Sequence, residues 1–166
     1  LKHTVLKVCL SERFRSLITI MRNGEEIAHE LIATRCQRGA EIARLLRFPE
    51  TVSQGIYSLD EHFNGQGRPA GLAGESIPLY ARIALLAQVI DVFHTAGGAQ
   101  AALDEIQLRA GRWFDPQLVK AFGKVADSAD FWATLGDPGI IDAVLLLEPA
   151  ANVVALDDDY LDDISA

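Results

Sequence analysis

Residues 63–76 carry Gly65, Gly67, Pro69, Gly71 and Gly74, and no helix or strand continues through such a run. Directly after it, Pro78 opens a segment whose apolar members are Leu79, Ile83, Leu85, Leu86, Val89, Ile90, Val92 and Phe93. Apolar almost all round, that segment reads as the buried central helix of its domain. A rigid surface turn feeding a buried helix therefore organises the chain. The turn lacks the Gly-Lys-Ser/Thr ending and the preceding strand of a phosphate cradle.

Helical periodicity dominates elsewhere. Residues 2–21 carry Val5, Val8, Cys9, Phe14, Leu17, Ile18 and Met21, and Asn23-Gly24 breaks the run. A second helix extends to about Leu46 with Ile27, Leu31, Cys36, Ile42 and Leu45 as its apolar side. Pro49 suits the first turn of a third, with Val52, Ile56 and Leu59 as its stripe. Gly97-Gly98 ends the central helix, and residues 99–109 form the next. Asp115-Pro116 and Asp137-Pro138 each read as an N-cap with proline at N1, and Ser128 caps a short helix between them. Residues 149–156 read as extended or looped, and the acidic tail from Leu156 as a helix whose aspartates suit its dipole. The expected fold class is all-α.

The chain has 166 residues, enough for one core. Its net charge of -8 excludes the basic surface that nucleic acid or an anionic membrane needs. No apolar run approaches roughly 18 residues, and no leader is visible, so the expected location is cytoplasmic, without membrane or nucleic-acid partners. Two cysteines, Cys9 and Cys36, make no disulfide framework. The first residue is Leu1, not methionine, and Ser165-Ala166 lie inside a helical pattern, so a piece of a longer protein is expected.

The stretch Ser58-Leu-Asp-Glu-His-Phe-Asn-Gly-Gln-Gly-Arg-Pro-Ala-Gly-Leu-Ala-Gly-Glu-Ser-Ile-Pro-Leu-Tyr-Ala-Arg-Ile83 resembles the signature of the HD-GYP phosphohydrolases. That signature has a His-His-Glu run, Asp-Gly-x-Gly-Tyr-Pro, a Gly-Leu-x-Gly loop and a helix opening near Ile-Pro. The likeness covers roughly residues 32–122 and includes Gly39–Ile42, Ala81–Phe93 and Trp113-Phe-Asp-Pro-Gln-Leu-Val119. It implies an HD-domain-like helical bundle over residues 1–122, with 123–166 as a helical connector toward a missing downstream region.

Members of that family hold iron, manganese or other divalent metals through His and Asp, and the metals activate a water that attacks a phosphodiester, commonly in cyclic di-GMP. Carried onto this sequence, the family's histidine before Gly-Ala falls on Arg35. The His-His-Glu run falls on Leu59, Asp60 and Glu61. The ligand aspartate of the central helix falls on Gln88, and the second aspartate is kept as Asp91. Tyr of Gly-Tyr-Pro becomes Arg68, and no His-Asp dipeptide occurs anywhere. Leu59 cannot coordinate and Arg35 repels a divalent ion. The resemblance thus leaves a vestigial site with no catalytic residue, no metal and no cofactor. Arg35 is expected within salt-bridge reach of Asp60, with Gln88 adjacent.

Asp91 and His94 share a helix face, but no third ligand follows at fixed spacing, so His62 and Asp91 read as polar surface groups and His94 as a helix-end residue. Asn64, Gly65, Gly67, Arg68 and Pro69 form the candidate ligand or partner loop. The expected function is a non-catalytic regulatory or interaction domain in a bacterial signalling protein of the cyclic di-GMP phosphodiesterase type. Its expected partners are other signalling domains or a second HD domain, with a cyclic dinucleotide as ligand. The alternative is a metal-dependent phosphodiesterase whose site is completed by residues outside this piece.

Overall fold

The computed structural model describes residues 25–147, and among them every regular element is helical. The helices are α1 (Glu25–Leu45), α2 (Glu50–Tyr57), α3 (Leu79–Leu108), α4 (Pro116–Ala126), α5 (Ala129–Gly136) and α6 (Ile140–Leu145), with a 3₁₀ turn at Gly74–Ser76. Each packs on the next in sequence. The all-α expectation holds. The helix expected over 2–21, the Asn23-Gly24 break and the tail from 149 lie outside the described residues.

The main core gathers Leu85, Leu86, Val89 and Ile90 from the first half of α3, Ala102 and Ile106 from its second half, Phe114 from the segment before α4, and Val119 of α4. Trp132 of α5 packs on the same cluster, so the docked helices run on past residue 122. Between the halves of α3 the chain turns at Gly98, whose φ of 78° and ψ of -174° suit only glycine. By length and composition α3 is apolar enough to cross a membrane, which single runs in the sequence did not suggest. Here it carries the core. Its outer face is less apolar-buried than expected, with Leu79, Tyr80 and Ile83 exposed.

α1 meets α2 through small residues. Ile32, Cys36, Ala40 and Ala43 are its buried line, while Leu31, Ile42 and Leu45, expected inside, are exposed. Gly39 explains the choice: a Cβ there would lie 2.8 Å from Ile56 Cγ2. Close helix approach selects the small-residue face over the bulkier one.

Caps follow the sequence in part. Pro49 stands at the N-cap of α2, one place before the first turn. Asp115 caps α4 by accepting from the Gln117 amide at 2.8 Å, with Pro116 at N1. Ser128 precedes α5 without a side-chain cap bond. Asp137 does not start a helix; its Oδ1 accepts from the Gly139 amide at 2.6 Å, a local turn that delays α6 to Ile140.

Candidate functional site

The segment between α2 and α3 is built on Glu61. Its side chain is almost fully buried and accepts from the backbone amides of Ala70 at 2.6 Å and Leu72 at 2.9 Å. One carboxylate thus holds the far limb of the glycine loop against the near limb. Gly67 passes so close that a Cβ there would lie 2.0 Å from the His62 nitrogen. Asn64 Oδ1 accepts from the Gln66 amide, the Arg68 amide donates to the Asp60 carbonyl at 2.9 Å, and the Arg68–Pro69 peptide is cis. Gly65 takes φ 78°, and Asn64 bridges Ala73.

The loop is tied to the chain entering α4 by Phe63 N to the Trp113 carbonyl at 3.1 Å and Asn64 N to the Arg112 carbonyl at 2.9 Å. His62 stacks on Trp113 at 4.4 Å, and the Arg109 guanidinium lies 3.8 Å over the same ring. His62 is therefore a packed group and not the surface residue expected. Desolvation pushes its pKa down from 6.5 to about 4, against the pull of Asp60 and with help from Arg109. A second long-range tie joins Arg82 of α3 to the cap Asp115 at 2.6 Å, with both side chains largely buried. Sequence reasoning missed the Arg82 and Trp113 contacts because their partners lie far along the chain.

On the α1 side, Arg35 Nη2 pairs with Asp60 Oδ2. The Cys36 thiol donates to the same oxygen at 3.3 Å. Burial works against the Arg35 charge, but Asp60 more than offsets it and the pKa is raised. Burial first, and Asp60 second, push the Cys36 thiol up to about 12. Gln88, expected inside and adjacent, is only half-buried and donates to its own helix at the Ala84 carbonyl, 3.2 Å away. Leu59 is half-buried beside Asp60 in sequence, and Asp91 is exposed. His94 stacks on Trp132 at 5.0 Å.

A guanidinium, an alkyl chain, one carboxylate and an amide at positions 35, 59, 60 and 88 do not fit the divalent ions that HD-GYP proteins hold. Among the described residues no three His, Cys, Asp or Glu side chains are grouped for a metal. The arrangement instead makes a compact ion pair beside a stiff loop.

The HD domain family matches residues 16–118. The chain is 49% identical over 163 residues, 98% of its length, to the "3'3'-cGAMP-specific phosphodiesterase 3" of Vibrio cholerae serotype O1. It is 31% identical over 110 residues, 63% of its length, to the "Cyclic di-GMP phosphodiesterase response regulator RpfG" of Xanthomonas campestris pv. campestris. It spans about a third of these proteins, 35% of the first and 27% of the second. A crystal structure of a cyclic GMP-AMP-specific phosphodiesterase of V. cholerae, V-cGAP3, superimposes with TM-score 0.80 at 52% identity, covering 89% of this chain and 36% of that one. A non-catalytic regulatory domain, expected from the replaced ligands, is overturned by these matches, over 98% and 89% of this chain, to proteins named as phosphodiesterases. Loss of ligands at positions 35, 59 and 88 says only that this place has lost its metal donors, not that the protein lacks a reaction. The chain belongs to the HD-domain family, among the HD-GYP phosphohydrolases.

Proposed function

We propose that this chain is part of a cyclic-dinucleotide phosphodiesterase, with 3'3'-cGAMP as the favoured substrate and a catalytic centre completed by residues other than 25–147. The observation that carries this reading is the 49% identity over 98% of the chain to a protein named for that activity. The lower identity to the cyclic di-GMP enzyme, 31% over 63% of the chain, makes cyclic di-GMP the second choice.

The reaction adds one water across one phosphodiester bond and opens the ring to a linear dinucleotide. The described residues contribute a prebuilt support, in which Glu61 stiffens the loop and the Arg82–Asp115 pair fixes α3 against α4. The His and Asp donors that the family uses would come from the remaining two thirds of a protein as long as its relatives.

The test is an assay of the full-length natural protein, supplied with manganese or iron(II), against 3'3'-cGAMP and cyclic di-GMP. The expected result is linear product, formed faster from 3'3'-cGAMP. Absence of product from both substrates, in protein shown to be folded, overturns the proposal.

A further inference from the structure

We propose that Arg35 is a resident cation at Asp60: its guanidinium takes the place of a divalent ion and clamps α1 to the loop after α2, so this position works without metal. The proposal does not depend on the substrate or activity of the whole protein.

Three observations converge on one residue, Asp60. Asp60 Oδ2 receives both Arg35 Nη2 and the Cys36 thiol, the latter at 3.3 Å. The Asp60 side chain is only 16% exposed, so its charge needs a partner close by. The Asp60 carbonyl also accepts from the Arg68 amide, so whatever fixes Asp60 fixes the start of the glycine loop. A guanidinium already seated on the carboxylate supplies the positive charge and repels a second cation.

The same geometry makes a sharp forecast. With histidine in place of Arg35, an imidazole, the Cys36 thiolate and the Asp60 carboxylate stand together, a donor set that suits zinc with water as fourth ligand. The arginine is then the one group that keeps this a salt bridge and not a metal site.

The experiment uses the 166-residue chain with added zinc or manganese, read by thermal melting and by metal content after desalting. Wild type is expected to shift by less than about 1 °C, while Arg35→His gains one zinc per chain and rises by at least about 4 °C at saturating metal. Arg35→Lys, which keeps a charge but loses the fork, melts lower than wild type and stays indifferent to metal. Stoichiometric metal in the wild-type protein that Asp60→Asn removes overturns the proposal. So does an Arg35→His protein that folds, by circular dichroism, yet takes up no zinc. If Arg35→His does not fold, the Arg35→Lys result decides: a metal-dependent rise in its melting point refutes the clamp.

Discussion

Asp60 and Glu61 are adjacent carboxylates with opposite fates. Glu61 turns inward, is 2% exposed, and meets only backbone amides. Asp60 turns toward α1 and meets Arg35, whose side chain is 45% exposed, and Cys36. Behind Glu61 stands a region whose family-like residues all do structural work: the glycine loop, Trp113, and the Arg82–Asp115 pair. At Asp60 and Arg35 stand positions where the family would hold metal, and there the donor chemistry has changed. Scaffold and chemistry in this fold are therefore separable at single-residue resolution, because backbone amides demand a carboxylate at 61 whatever the reaction, while only a metal demands histidine at 35 or 59.

Glu61→Ala should show the largest effect. It removes two hydrogen bonds to a buried carboxylate and leaves the exposed Ala70 and half-buried Leu72 without their acceptor, a loss of about 3 kcal/mol by chemical denaturation. A loss below about 1 kcal/mol would mean that the loop is held by its other ties and that the two carboxylates are less different than described.

Next comes acid. The folded-state pKa of His62 lies near 4, below its ordinary 6.5, so the unfolded chain binds more protons between those values. Stability from this group is complete above pH 6.5 and is lost as pH falls toward 4, an effect of up to about 3 kcal/mol. Replacing His62 with phenylalanine keeps the stack on Trp113 and should flatten that part of the melting profile. A variant profile parallel to wild type would refute the packed, neutral imidazole.

Arg35→Ala should cost least, about 1 kcal/mol, since a partly exposed pair gains little from its Coulomb attraction. A fully buried pair would have cost about 3 kcal/mol. Unfolding curves of the two single variants, Arg35→Ala and Glu61→Ala, measure the contrast directly.

Much of the fold was legible because its punctuation is local. Pro116 after Asp115, the glycines of 65–74, and Gly98 each act through their own backbone, and each marks a boundary that the structure keeps. The pairing of Arg35 with Asp60 was legible only through the family resemblance, since 25 residues separate the partners. What stayed hidden was the choice of face on α1. Leu31, Ile42 and Leu45 carry the stronger apolar signal, but the close approach at Gly39 rewards Cys36, Ala40 and Ala43. Size, which hydropathy does not record, decided it. His62 was hidden for the matching reason: its ring is covered by Trp113, a neighbour from another part of the chain.

The turn at Gly98 has a consequence for rotational phase. An unbroken helix advances about 100° per residue, so Ala102 would stand about 160° around the axis from Leu86, facing away from it. Yet Ala102 and Ile106 enter the same core as Leu86 and Ile90. The single left-handed residue resets the phase, and two apolar stripes that would have pointed to opposite sides converge on Phe114. Averaged over its full length, the helix therefore looks uniformly apolar, although each half taken alone has a defined inner side.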